Sequence, residues 1–588
     1  MKNLYSFSAM LCLSLLFVNC KSEKKTQDFK SITDAYFKEK NELNPLDATQ
    51  NDQHDYDDQL VFEMTDSYRK KKNAFYEKYL TELKSVDTTQ LSEEEKNSYE
   101  IIKWESEVGT GILKQNGNLT PIEQFDGTHI TMGQFASAES AQPFKTESDY
   151  KKFLKRMNLY SVWVDSAMVY MKKGMALKVV LPKALAEKVV PQFEDMITPK
   201  VEDNLFYSSC KKFPADFTEE QKSSLSKEYA ATINEKLIPQ FQKLVTFMKT
   251  EYVPACRSTS GIGSLTGGNE LYKALVKQWT TTEKTPAEIH ELGLKEVALL
   301  NSEMEKVKNE VGFKGTLKEF LNDVRTKKEL RPFTDPQQVM DNFERIYKTI
   351  KPNVDKLFSL QPKTPFRIKR TEAFREKTAS AEYMQGSADG SRPGTFYVPI
   401  PDVKNYNVLE DEDLFLHEAI PGHHFQISLQ QESKTLPDFR KFNWFGAYGE
   451  GWALYCESLG KELGLYKDPY QYLGMLNDEM HRAIRLVVDT GIHSKGWTRE
   501  QAIQYSLDNE AETEASITSE IERYMAIPGQ ALSYKIGQLK ILELRQKAKD
   551  KMKDKFDIKV FHQKVLESGV LPLELLEKKI NNWIATGK

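Results

Sequence analysis

From Asp28 to about Ser380, apolar residues recur every three or four positions among charged ones. That period gathers them on one face of a helix and commits the chain to a largely helical body. The spacing predicts helices over Asn73–Leu83, Tyr150–Lys172, Lys183–Asp195, Glu219–Thr250, Pro286–Val311 and Pro336–Lys351. Several starts are legible. Thr285-Pro286-Ala287-Glu288 offers an N-cap, a first-turn proline and an acid, and Asp335-Pro336 repeats the pattern. Thr498-Arg499-Glu500-Gln501 reads as a capping box, and Thr218 caps another helix. Two segments break the run. Thr259–Gly268 is a Gly-rich loop without the Gly-Lys-Ser/Thr ending of a phosphate loop. Tyr383–Ile400 is a turn followed by a short β-prone run, Thr395–Val398. With 29 Gly and 23 Pro in 588 residues, a linker array or a turn-dense β-sandwich is disfavoured. No fixed-period repeat is present, so the expected fold is mainly α, one large body over 31–588 with room for two lobes.

The N-terminus reads as an address. Lys2 precedes the mostly apolar stretch Leu4–Val18, too short to span a bilayer and suited to a signal peptide over 1–19. The stretch stops at Phe17-Val18-Asn19-Cys20, and polar residues follow at once, as in bacterial lipoprotein signals. That resemblance implies a lipidated Cys20, a tether over 20–30 and attachment to the cell envelope, at the outer membrane or facing the periplasm. The 82 basic and 86 acidic residues give a net charge of −4, which argues against a nucleic-acid partner. Cys210, Cys256 and Cys456 remain in the mature chain. They admit one disulfide, with Cys210 and Cys256 the favoured pair, and are read as structural.

Chemistry concentrates at Leu414–Gln426, where three of nine histidines fall within eight positions: His417-Glu418-Ala419-Ile420-Pro421-Gly422-His423-His424. Imidazole is the commonest biological metal ligand, and an adjacent Glu can act as general base toward water activated by the ion. In the HExxH helix the two His stand one turn apart, but position 421 is Pro. On a straight helix His424 would lie about 10.5 Å above His417, too far to share an ion. The helix must therefore be interrupted, and Pro421-Gly422 can do it. A three-residue excursion returns His424 to the phase of the usual second ligand, and a shorter one selects His423. The reading leans to His424 and keeps His423 open. Downstream, Glu450 and Glu457 lie seven residues apart on one face of an apolar helix. A buried acid needs a partner, so Glu450 is the expected third ligand and Glu457 the carboxylate that orients a ligating His. One Zn²⁺ is the expected cofactor.

HEAIPGHHFQ, EGWALYCE, DTGIHSKGWT and ERYMAIPGQALSYKIG together resemble the bacterial "domain of unknown function 885" family, from about Ser31 to Lys588. NPLDATQNDQHDYDD, TTTEKTPAEIHELGLKEV and GSRPGTFYV match its style as well. The resemblance implies kinship with zinc metallopeptidases that carry HExxH and a downstream Glu, such as angiotensin-converting enzyme and thimet oligopeptidase. It implies a helical body around a deep cleft, with short or unfolded peptides as substrate. By the same resemblance Tyr524, in Glu522-Arg523-Tyr524, stabilises the oxyanion, with Tyr534 as fallback. Thr395–Val398, including Tyr397, would be an edge strand to which a peptide adds. His493 would contact substrate, and Arg392, Arg485 and Lys535 would hold a peptide carboxylate. His129 and His290 are read as structural. The expected activity is peptide hydrolysis with Glu418 as base. A zinc hydrolase of another amide or ester, or a non-catalytic peptide-binding lipoprotein, are the alternatives.

Overall fold

The computed structural model describes residues 28–587, apart from 372–375, 377–379 and 387–391. The expected signal peptide and Cys20 lie outside the described residues. Helices dominate. Those that frame the later argument are α1 (Phe29–Leu43), α2 (Asp66–Leu83), α3 (Glu93–Leu113), α4 (Glu147–Leu177), α5 (Lys183–Glu194), α6 (Pro286–Glu310) and α7 (Pro336–Leu357). After a small sheet come α8 (Asp411–Glu418), α9 (His423–Glu432), α10 (Gly446–Glu457), α11 (Pro469–Ser494), α12 (Glu514–Ala526) and α13 (Leu532–Met552). The capping box expected at Thr498 is formed, and the N-caps expected at Thr285, Asp335 and Thr218 are each part of one as well. The helix expected over 219–250 runs on to Ala255 but widens into π turns at Ile233–Leu237 and Met248–Tyr252. Pro239 and Pro254 each stand two residues beyond one of these turns. Each lacks an N–H for the α ladder, which explains the local widening.

Two hydrophobic cores form. One gathers α1–α3 with α6, α7 and the helices that follow the sheet. The other lies within residues 60–252, on α4, α5 and the long interrupted helix, and is rich in aromatics such as Tyr160, Trp163, Phe206 and Phe241. Arg156 is fully buried beside that second core. It is satisfied by the carbonyls of Tyr56 and Gln59 and by the side chains of Gln142 and Thr49. The Gly-rich loop 259–268 packs on the end of α11. A Cβ on Gly261 would lie 1.9 Å from the Ile492 carbonyl oxygen, so this close approach requires glycine.

The sheet runs β1 (Phe366–Arg370), β3 (Gly394–Val398), β2 (Glu382–Met384). The β-prone run at 395–398 is therefore the central strand and not an edge. β1 pairs with it in parallel and β2 antiparallel, so both its sides are occupied and a peptide cannot add there. The cysteines also correct the sequence reading: Cys210, Cys256 and Cys456 are all free. Among the described residues no helix is long and apolar enough to cross a membrane.

The helix that carries the site acids is set by an unusually close crossing of α10 over α13. A Cβ on Gly537 would lie 1.8 Å from the Ala447 carbonyl oxygen and 2.7 Å from Gly451 Cα. Gly537→Ala is expected to cost about 1–3 kcal/mol through overpacking, read as a lower midpoint of thermal unfolding.

Buried neutral histidines add a pH dependence. Burial lowers His493 and His562 to about 3 and His129 to about 4, with hydrogen bonds to backbone carbonyls opposing the shift. The unfolded chain takes up protons at these side chains below about pH 6.5, while the folded chain does not. Their contribution is full above that pH and declines toward pH 3. Denaturant titrations across this range should show stability falling with pH, and less steeply in His562→Asn.

Candidate metal centre

α8 ends at Glu418, and α9 begins at His423. Between them the backbone leaves helical dihedrals, with ψ of −107° at Ala419 and −126° at Gly422. The connection doubles back hard: a Cβ on Gly422 would lie 1.9 Å from the His417 carbonyl oxygen and 2.3 Å from that of Leu416. Only glycine fits. Helix α10 fixes the turn from outside, because Trp452 Nε1 (2.9 Å) and Cys456 Sγ (3.4 Å) both donate to the Pro421 carbonyl.

His417 from α8, His423 from α9 and Glu450 from α10 meet here, each offering a ligand atom within 4.8 Å of the others. Glu450 Oε2 lies 3.7 Å from His417 Nε2 and 3.4 Å from His423 Nε2. The two imidazole centroids are 4.8 Å apart at 86°. His417 Nδ1 donates to Glu457 Oε1 at 2.7 Å, which fixes the ring and turns Nε2 toward Glu450. Glu450 and Glu457 thus flank His417 from positions two turns apart on one helix.

Charge follows from this packing. Burial works to lower the His417 pKa, but the carboxylates of Glu450 and Glu457 outweigh it and raise it well above the ordinary imidazole value. Burial works to raise Glu450, but His423 and His417 hold it well below the carboxylate range. Glu418 is raised, mainly by burial, against the opposing pull of His417 and His423, and it accepts the Tyr383 N–H.

His424 does not join the cluster. It follows His423 on α9, so its side chain leaves the axis about 100° away. Its Nδ1 accepts from the Tyr383 hydroxyl of β2 at 3.0 Å, and its ring packs 4.9 Å from Phe366 of β1. It ties helix to sheet, and burial lowers it to about 4. The lean toward His424 is corrected to His423, because α9 restarts at the first histidine and not the second.

The donor set suits zinc. Two ligands at about 2.0–2.1 Å from a tetrahedral ion stand about 3.4 Å apart, close to the spacings here. These spacings are long for hydrogen bonds, and His423 Nδ1 is buried without a partner among the described residues. His493 and His562, which are structural, are bonded at both nitrogens, although the structural His129 also leaves Nδ1 without a partner among the described residues. His493 has contacts of 3.1 and 2.9 Å, and both His562 contacts are 2.8 Å.

The other expected residues sit as follows. Tyr524 is buried and donates to Glu520 Oε2 at 2.8 Å, while Arg485 Nε donates to it at 3.0 Å. Its proton is committed, so it is not a free donor. The fallback Tyr534 makes no hydrogen bond among the described residues and lies against Arg485, 4.5 Å from guanidinium to centroid. Arg485 also pairs with Glu520 at 3.0 Å, leaving Nη1 buried without a partner among the described residues. Lys535 is fully buried between Glu479 (2.6 Å) and Glu296 (3.2 Å), so it holds helices together and not a ligand. His493 joins the Ile262 N–H to the Tyr524 carbonyl and is structural. Tyr397 is buried in the central strand, and Arg392 is exposed just before it. His290 bonds Thr490 at 2.8 Å, and His129 bonds the Glu123 carbonyl at 2.7 Å.

Three features escaped the sequence reading. Tyr383 contacts both Glu418 and His424 from a segment read only as a turn. Trp452 anchors the Pro421 carbonyl, and nothing local marks it for that task. Asp413, Glu457 and Asp478 form a buried acidic group behind His417, with Arg482 Nη1 2.6 Å from Asp478. Asp413 precedes His417 by four residues, a same-face signal that was available.

A mainly helical body thus carries two histidines and a glutamate converging from three helices. Residues 45–580 match the family described as "Bacterial protein of unknown function (DUF885)", and the chain belongs to that family. No curated protein matches it. Among solved structures it is similar to "the putative lipoprotein from Colwellia psychrerythraea", at 27% identity and a TM-score of 0.85, covering 95% of this chain and 99% of that one. A second, "a putative lipoprotein of unknown function from Shewanella oneidensis", shares the fold at 20% identity and a TM-score of 0.74, covering 94% and 99%.

The ligand assignment is checked by metal analysis of variants loaded with zinc and then dialysed. His423→Ala should lose the ion and His424→Gln should keep it. Glu457→Gln should weaken affinity by about 10–100-fold.

Proposed function

We propose that this protein is a zinc-dependent peptidase tethered to the cell envelope through a lipidated Cys20. The observation that carries the reading is the convergence of His417, His423 and Glu450 beside Glu418. Three protein ligands leave a fourth position open, whereas structural zinc sites are closed by four. When bound, zinc would lower the pKa of a coordinated water and polarise a substrate carbonyl. The chain's own residues supply the rest. Glu457 holds His417 in the tautomer whose Nε2 faces the site. Glu418, raised by burial, is suited to take a proton from water and return it to the departing amine. Tyr534, with an uncommitted hydroxyl, is a better donor to a developing oxyanion than Tyr524. The anchor is supported by the Phe17–Cys20 sequence and by the lipoprotein descriptions of both solved relatives.

The test compares native protein with Glu418→Gln, each measured for zinc content and for cleavage of a peptide library read by mass spectrometry. The expected result is zinc retained in both, with kcat/KM lowered about 10²–10⁴-fold in the variant. Equal activity in the two proteins would remove Glu418 from the mechanism. Native protein that holds zinc and cleaves no peptide would overturn the peptidase reading.

A further inference from the structure

Beside the metal centre a cleft of about 420 Å³ opens between α1, α2, α3 and the segment leading into α10. Trp444 joins the two. It lines the cleft, and its ring lies 6.0 Å from the His423 ring. It rests on Gly449, where a Cβ would come within 2.1 Å of the indole, one residue before Glu450. The segment is pinned, because Gln430 of α9 donates to the carbonyls of Arg440 (2.8 Å) and Asn443 (2.9 Å). The cleft therefore reaches the proposed ion site across one indole ring.

Its walls are aromatic, and its charges are unequally used. Lys40 is neutralised by Glu105 at 2.8 Å, and Tyr36 also donates to that carboxylate. Lys72 is different. Its only hydrogen bond is to Asn44 Oδ1 at 3.3 Å, and it forms no ion pair among the described residues. One turn further along α2, on the same face, Tyr76 brings to the cleft a hydroxyl without a hydrogen-bond partner among the described residues. Gly109 makes room for that ring, since a Cβ there would lie 2.3 Å from Tyr76 Cζ. Two donors side by side, one cationic, match the two oxygens of a carboxylate. Asp47 also lines the cleft and is the carboxylate that attracts Lys72 most strongly, although the two form no ion pair among the described residues.

We infer that this cleft receives the carboxy-terminal end of a short peptide. The terminal carboxylate lies on Lys72 and Tyr76, and a large apolar side chain lies against Trp104 and Trp444. The inference rests on the hydrolase reading for its product but not for its binding step. It makes the substrate class peptides with a free carboxy-terminus.

The experiment uses Gly-Gly-Ala-Phe-Phe as the free acid, as the carboxy-terminal amide and as the N-acetylated free acid. Binding to Glu418→Gln protein is followed by tryptophan fluorescence, and cleavage by native protein is followed separately. The free acid and its acetylated form should bind alike, and the amide about tenfold or more weaker. Adding Lys72→Met should erase that preference by weakening the acids alone, and Tyr76→Phe should reduce it. Asp47→Asn should leave it intact or enlarge it. Circular dichroism checks that each variant is folded. Equal binding of acid and amide would overturn the inference. So would a loss confined to the acetylated peptide and to Asp47→Asn, which would mean that the cleft holds an amino-terminus. Acid-selective binding without any cleavage would leave the inference standing and sink the peptidase reading. Cleavage indifferent to the terminal carboxylate would do the reverse.

Discussion

The arrangement depends on a helix that is stopped and restarted within four residues. An uninterrupted helix through 417–424 would set its histidines apart along the axis, with no common point for their nitrogens. Gly422 pressed against the carbonyls of Leu416 and His417 allows the reversal. The Pro421 carbonyl, which this reversal takes out of the helical ladder, is satisfied by Trp452 and Cys456. Glu450 and Glu457 lie on that same helix. The groups that hold the turn and the acids that face the histidines are therefore one rigid piece, and the geometry of the cluster cannot drift independently of the turn.

Behind His417 the protein accepts an electrostatic cost. Asp413, Glu457 and Asp478 crowd together in the interior, and burial raises Asp413 and Glu457. Arg482 offsets part of it through Asp478. Such a cluster is unfavourable for folding alone, because buried like charges destabilise unless protonated or paired. Its placement against the Nδ1 side of a ligand-type histidine gives the cost a purpose. The carboxylate that orients the ring is held in a fixed frame of neighbours and not left to solvent.

Much of this was legible in the residues. Helical periodicity and capping boxes gave the body, and the His-Glu cluster with two downstream acids seven apart gave the site's elements. The choice between His423 and His424 was not legible. It turns on backbone dihedrals over 419–422, and a one-residue difference in where α9 restarts rotates the wrong ring away. The sheet was misjudged for a related reason. β1 and β2 are short and weakly patterned, so nothing in Thr395–Val398 revealed that it is paired on both sides. Contacts such as Tyr524 with Glu520 one turn back on α12 and with the distant Arg485, or Lys535 with two glutamates, consume polar groups that looked available one at a time.

Helix α1 starts at Phe29, and Tyr36 and Lys40 on it form part of the cleft wall. On the proposed anchoring, the leash from Cys20 to Asp28 spans at most about 30 Å when fully stretched. The mouth of the cleft would then stay close to the lipid headgroups. Chains large or rigid enough to collide with that surface would be excluded by geometry before any side chain could select among them.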